Sequence, residues 1–191
     1  MFKSPLPPSF IAIPLTLLVA GLGCTPAIPV GNGGTVSQNG NQTTVTGADG
    51  SKVTIDQGSQ QMHMQSANGV VDMKGGVVTE TDNKGNSSQF GGDVTEADLG
   101  YPFYPGSLAG TGSMKASSPQ GKTTVSVRTT TDSPAQVVAF YKSKAGNPST
   151  ETTLPNGAAA VWDKASPKLN LIISQSDGKT MIDVTTTTSP K

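Results

Sequence analysis

The chain has 191 residues with 13 basic and 13 acidic side chains, so it offers no basic field to hold nucleic acid or acidic lipid. Aromatic residues make up 5% and charged residues 14%, against 23 glycines and 14 prolines, and a chain so poor in apolar side chains cannot bury all its length. One compact domain and much loosely held chain are expected, with no intramolecular disulfide to compensate, because there is one cysteine.

The most apolar stretch comes first. Met1 and Lys3 give a positive head, and Ile11, Ile13, Leu15, Leu17, Leu18, Val19 and Leu22 give an apolar run that stops at Cys24. A secretory leader needs such a head, an apolar run of about 7–15 residues and small residues at the cut. A spanning helix needs about 20 apolar residues, more than this run holds, and Pro14 interrupts it. Residues 1–23 are therefore expected to be a signal peptide.

The segment Gly21-Leu22-Gly23-Cys24 resembles the lipobox of bacterial lipoproteins. The resemblance implies a diacylglyceryl group on the Cys24 sulfur, cleavage just before it, and fatty acylation of the new amine. That family usually has leucine three places before the cysteine, where this chain has Gly21. The alternative is an ordinary secretory cut, since Gly21 and Gly23 also read small-x-small, and it would leave Cys24 an unpaired exported thiol. Each buried methylene stabilises membrane attachment by about 0.8 kcal/mol, and two chains anchor stably where one does not. Cys24 is thus the expected lipidation site and the membrane its expected partner. Thr25 follows it in place of the aspartate that resembles an inner-membrane retention signal, which favours the outer membrane where one exists.

Residues 24–34 read as a flexible tether of proline and glycine. Residues 35–92 read as a glycine- and threonine-rich β meander, with partial disorder as the rival. Short alternating segments such as Val53-Thr54-Ile55 and Met62-His63-Met64 fall between turn signals at Asn39-Gly40, Asp49-Gly50, Asn68-Gly69, Gly75-Gly76 and Lys84-Gly85. Each strand has only two or three apolar residues, and such hairpins are marginal unless something packs on them.

Residues 93–188 are expected to form an α+β domain, an antiparallel sheet with one helix in the order β-β-α-β-β-β. Ser133 suits the N-cap of a helix over 133–144, Pro134 its first position and Gln136 a capping box, while Val137, Val138, Phe140 and Tyr141 share one stripe. Lys142 and Lys144 suit its last turn, and Gly146 ends it. Strands are expected over 123–129 with Val125 and Val127 inward, over 158–163 with Ala160 and Trp162 inward, over 168–174 with Leu169, Leu171 and Ile173 inward, and over 180–186 with Ile182 and Val184 inward. Asp177-Gly178 is the expected turn before the last. Residues 112–117 read as an edge strand. The threonine-rich end from Thr185 is expected to fray, with residues 189–191 as a tail.

The stretch Leu99-Gly100-Tyr101-Pro102-Phe103-Tyr104-Pro105-Gly106 resembles the motif, roughly L-G-x-P-x-Y-P-G-A, that opens the domain in an uncharacterised family of small bacterial envelope proteins, many of them lipoproteins. The helix segment from Asp132-Ser133 to Phe140-Tyr141 matches that family's D-S-x-x-x-V-x-x-F-Y, and Asp49-Gly50-Ser51-Lys52-Val53-Thr54-Ile55 its D-G-x-x-V-T-I phrasing. Ser107 departs from the family's alanine. The resemblance implies an architecture and no activity.

No constellation for chemistry is expected: no catalytic residue, no cofactor site and no metal site. His63 is the only histidine, and alternation puts it opposite Met62 and Met64. Copper held by those three is the sharper reading; methionines filling an apolar face is the plainer one and is preferred. Asp93, Glu96 and Asp98 lack the dense oxygen pattern of a calcium loop and read as a solvated linker. Tyr101, Phe103 and Tyr104 read as staples across the sheet edge in preference to an exposed binding lip. The expected function is a non-enzymatic, lipid-anchored envelope protein that binds a protein or surface polymer or serves as a structural module, its partner unknown. An envelope enzyme or a small-ligand or metal-binding protein is the alternative.

Overall fold

The computed structural model describes residues 27–189. Cys24 and the leader expected over 1–23 lie outside the described residues, as does most of the tail.

Among the described residues the architecture is sheet-rich, mostly antiparallel strand with two α-helices. It begins with β1 (Ile28–Val30), a 3-10 turn (Gly31–Gly33) and β2 (Gly34–Asn39), which pairs with β1. Residues 28–30 and 34, expected to be tether, are therefore strand, joined by the turn at 31–33. Pro29 is tolerated because β1 is an edge strand, where a missing N–H breaks no interior ladder. A meander follows: β3 (Gln42–Thr46), β4 (Lys52–Asp56), β5 (Gln61–Ser66), β6 (Gly69–Lys74), β7 (Val77–Asp82) and β8 (Ser87–Phe90), each pairing with the next. The turn glycines carry the positive φ that these connections need, as at Gly75 (57°) and Gly76 (79°).

The chain then forms α1 (Glu96–Leu99), β9 (Leu108–Ala109), β10 (Met114–Ser118), β11 (Gly121–Thr130), α2 (Pro134–Ala145), β12 (Thr150–Leu154), β13 (Gly157–Trp162), β14 (Lys168–Ser176) and β15 (Lys179–Thr188). The sheet continues without a break, because β10 pairs with β8 on one side and β11 on the other. Beyond β11 the order is β15, β14, β13, β12.

Helix α2 matches its sequence signals. Ser133 caps it, with Gln136 Oε1 accepting from the Ser133 N–H at 2.9 Å, and Gly146 ends it. Its Val137, Val138 and Tyr141 are buried against Ala158, Ala160, Trp162, Leu169, Leu171 and Ile173, with Ile182 and Val184 behind. Trp162 Nε1 donates to the Gly146 carbonyl at 2.8 Å, closing the end of the helix onto β13.

Five expectations for this half are corrected. An extra strand, β12, follows the helix and pairs with β13. Residues 114–118 are an interior strand, not an edge. The acidic stretch after residue 93 is no plain linker: Glu96–Leu99 is a helical turn with a capping box between Thr95 and Asp98. The threonine-rich end does not fray at 185, since β15 runs to Thr188 and Thr186 is buried. Finally, β11 buries Thr124 and Ser126, not Val125 and Val127. Register explains that last inversion, because Thr124 stands opposite Thr186, and Ser126 opposite Val184, on the side that α1 and α2 cover. The Thr124 hydroxyl is satisfied there by donating to the Asp98 carbonyl at 3.2 Å.

Residues directly opposite on neighbouring strands share a face, so the registers assign every strand residue to one of two sides. The helix face carries the core beyond β11 and a polar row across the meander. The far face carries the meander's apolar residues. Every substantial contact of β1–β8 is with a neighbouring strand.

Candidate functional site

The polar row on the helix face is the most chemically furnished part of the meander. Paired positions run Thr44, Thr54, His63, Asp72, Thr79 and Gln89, ending at Lys115 on β10. At its β10 end the row enters an open groove of about 910 Å³. The floor is hydroxyl-rich, with Thr79, Ser87, Ser117 and Thr124, and α1 forms a wall through Ala97 and Asp98.

Two ionisable groups lie at the centre of the groove. Lys115 Nζ is 3.6 Å from Asp98 Oδ2 and donates to the Asp93 carbonyl at 3.2 Å. Asp98 is also the N3 residue of α1, where Thr95 N–H and Oγ1 donate to it at 3.0 and 2.8 Å. Those Thr95 donors, with Lys115 beyond them, hold its carboxyl below the usual carboxylate range. An acid held ionised by a cap and a lysine is a poor proton donor near neutrality. The groove offers hydrogen bonds from hydroxyls to a polar ligand.

His63 is elsewhere. Its Nδ1 is 2.6 Å from Asp72 Oδ1, and both side chains are about half exposed. Four strand spacings along the row separate it from Lys115, about 19 Å, so it cannot serve the groove. Met62 and Met64 are on the far face, as alternation requires, and the copper set of Met62, His63 and Met64 is split across the sheet. Among the described residues no cluster of three or more His, Cys, Asp or Glu side chains is positioned to hold a metal ion.

The three acids of the 93–98 stretch have separate structural tasks. Glu96 Oε1 accepts from the Phe103 N–H at 2.7 Å, Asp98 caps α1, and Asp93 offers its carbonyl to Lys115.

The aromatics staple the segment after α1 onto the body. Tyr101 donates to the Pro167 carbonyl at 3.0 Å, and burial raises its phenol pKa. Tyr104 donates to Asp132 Oδ2 at 2.6 Å. Phe103 lies under Arg128, whose Cζ is 4.0 Å from the ring centroid.

Ser107, where the motif's family has alanine, is a residue that sequence reasoning missed. Arg128 Nε donates to its Oγ at 2.7 Å and Nη2 to its carbonyl at 2.6 Å, while its own hydroxyl donates to the Tyr104 carbonyl at 2.6 Å. The available signal was that Arg128 is the only arginine in the chain. A buried serine is a fit partner for a fork of donors brought in from the sheet.

No family model, curated protein or solved structure matches this chain.

Proposed function

We propose that this chain is a lipid-anchored protein of the bacterial cell envelope, attached to the membrane through diacylated Cys24 and not an enzyme. In this reading the meander is a stiff spacer, and residues 93–188 are an α+β module that presents a hydroxyl-lined groove to an envelope polymer or protein. The outer membrane is the expected location where the cell has one.

The observation that carries the reading is strand order. In the meander, spatial order follows chain order from β1 through β8 and on to β10. Strand β1 starts at Ile28, a few residues after Cys24. A sheet built that way sets its far end at a fixed distance from its first strand. Eight spacings from β1 to β10 amount to about 38 Å. A flexible tether of the same chain length would give no defined height. Hydroxyls from several strands line the groove and suit a partner rich in hydroxyl or amide groups.

Mass spectrometry of the mature amino terminus tests the anchor. A diacylated Cys24 is expected, with loss of membrane fractionation in Cys24→Ser. Recovery of the native protein unlipidated and free in the periplasm or medium would end the proposal.

A further inference from the structure

The meander is two-faced. On its far face one row runs Val36, Val45, Val53, Met64 and Val71. The adjacent row runs Ile55, Met62, Met73, Val78, Phe90 and Met114. The registers put every exposed large hydrophobic residue among the described residues on this one side of the sheet, Ile28, Phe90 and Ile172 included. Among the described residues no helix and no second sheet packs on it.

We propose that this face is covered by the same face of a second copy of the chain, in a two-fold, sheet-on-sheet pair. Charge argues first for that occupant. Glu80 is the charged side chain that interrupts the rows, and Asp82, at the end of β7, is committed to its own turn through Asn86 and the Lys84 N–H. A charged partner would find little to pair with. A membrane surface would be met by basic residues, and the two meander rows carry none; the lysines that share this face, Lys168 and Lys179, are on β14 and β15, beyond β11. An apolar sheet of the same composition and the same twist fits, because aligned sheets pack about 10 Å apart with side chains interdigitated. Methionines at Met62, Met64 and Met73 adapt readily to such a surface.

Area argues next. The first row crosses four strand spacings, about 19 Å, and the second five, about 24 Å. The strip from β1 to β10 that holds both, with Glu80 and Ser88 among its residues, is about 38 Å by about 14 Å, or about 500–600 Å² per copy and about 1,000–1,200 Å² for the pair. That is the lower limit of a specific interface, so a modest affinity is expected. Symmetry supplies the rest, and this step alone rests on the anchored reading. A two-fold axis along the β1-to-β8 direction packs far face on far face and keeps both β1 strands at one end. Both lipids then enter one membrane, where confinement raises the effective concentration.

Paired cysteine substitutions in the full chain, in membranes, test the inference with a short bis-maleimide. Glu80→Cys and Ser88→Cys are on the far face; Thr79→Cys and Gln89→Cys are their neighbours on the helix face. Cross-linked dimer is expected from at least one far-face position and from neither helix-face position. Dimer from neither face, or equally from both, overturns the pairing. Cross-linking of the parent chain through Cys24 would report an unlipidated sulfur and so sink the anchored reading separately. Sedimentation of the detergent-solubilised chain should give a dimer that Met73→Glu weakens by about tenfold or more while circular dichroism is unchanged. A monomeric parent at all concentrations, or far-face adducts to a different protein, also overturns the proposal.

Discussion

Tyr104 reaches across 28 positions of chain to donate its phenol hydrogen to Asp132, at 2.6 Å. The bond ties the segment after α1 to the residue that precedes the cap of α2. Asp132 is itself fixed, because Thr180 donates to its carbonyl at 2.6 Å. Three separate pieces of chain therefore meet at one aspartate.

Tyr104→Phe should lower stability by about 1.5–3 kcal/mol, the range for losing a hydrogen bond to a charged group. Urea unfolding at pH 7 reads it. The phenol pKa is pushed from 10.0 up to about 12, first by the bond to Asp132 and then by burial. A raised folded-state value means that stability is full below pH 10 and is lost as pH rises from 10 through about 12. The variant lacks this group, so the gap between the two proteins should narrow across that window.

Tyr141 gives the opposite expectation. Its ring is fully buried between α2 and the sheet, and its hydroxyl lies near the Tyr104 backbone without reaching hydrogen-bond geometry. A buried, unpartnered hydroxyl costs about 1–3 kcal/mol of desolvation. Tyr141→Phe keeps the ring, with its edge contact to Phe140 at 5.1 Å, and removes the orphan. Unfolding should show a neutral change or a gain of up to about 1 kcal/mol. A loss above that would mean that the hydroxyl is satisfied in solution.

Local signals were legible and long-range ones were not. Ser133, Pro134 and Gln136 specify the start of α2 within four consecutive residues, and no distant contact is needed to read them. The meander's turns were legible for the same reason. The inward side of β11 was not. Val125 and Val127 form the greasier side of that strand, and alternation alone sends them in. Pairing to β15 and the cover of α1 send in Thr124 and Ser126, and both facts come from outside the strand. The groove was hidden likewise, since Lys115 and Asp98 meet only after β10 enters the sheet interior. In β1 the composition of residues 28–30 misled, because proline at an edge looks like proline in a linker.

Gly100 should tolerate no side chain. It ends α1 at φ 74°, and an added Cβ would come within 2.8 Å of Pro167 Cγ. Both the left-handed backbone and the contact act against alanine. Gly100→Ala is expected to cost about 1–3 kcal/mol, read as a lower midpoint in thermal unfolding. An unchanged midpoint would show that α1 is not coupled to the body through this turn.

Asp183 provides the pH test on the far face. It stands opposite Ile172 on β14 and Val127 on β11, and burial raises its carboxyl pKa above 3.8, with the Thr185 hydroxyl at 3.3 Å opposing the shift. An acid whose folded value is raised binds more protons folded than unfolded, so the ionised form costs stability above the folded pKa. That cost disappears as pH falls below the unfolded value of 3.8, where both states are protonated. Asp183→Asn removes the charge and keeps the shape. It should be slightly more stable than the parent at pH 7, and the advantage should fade on acidification toward pH 3. Because the carboxyl is only half-buried, the effect is small and needs paired melts in one buffer series. An advantage that grows with acid would mean that Asp183 has a cationic partner, and the sign of its shift would then be wrong.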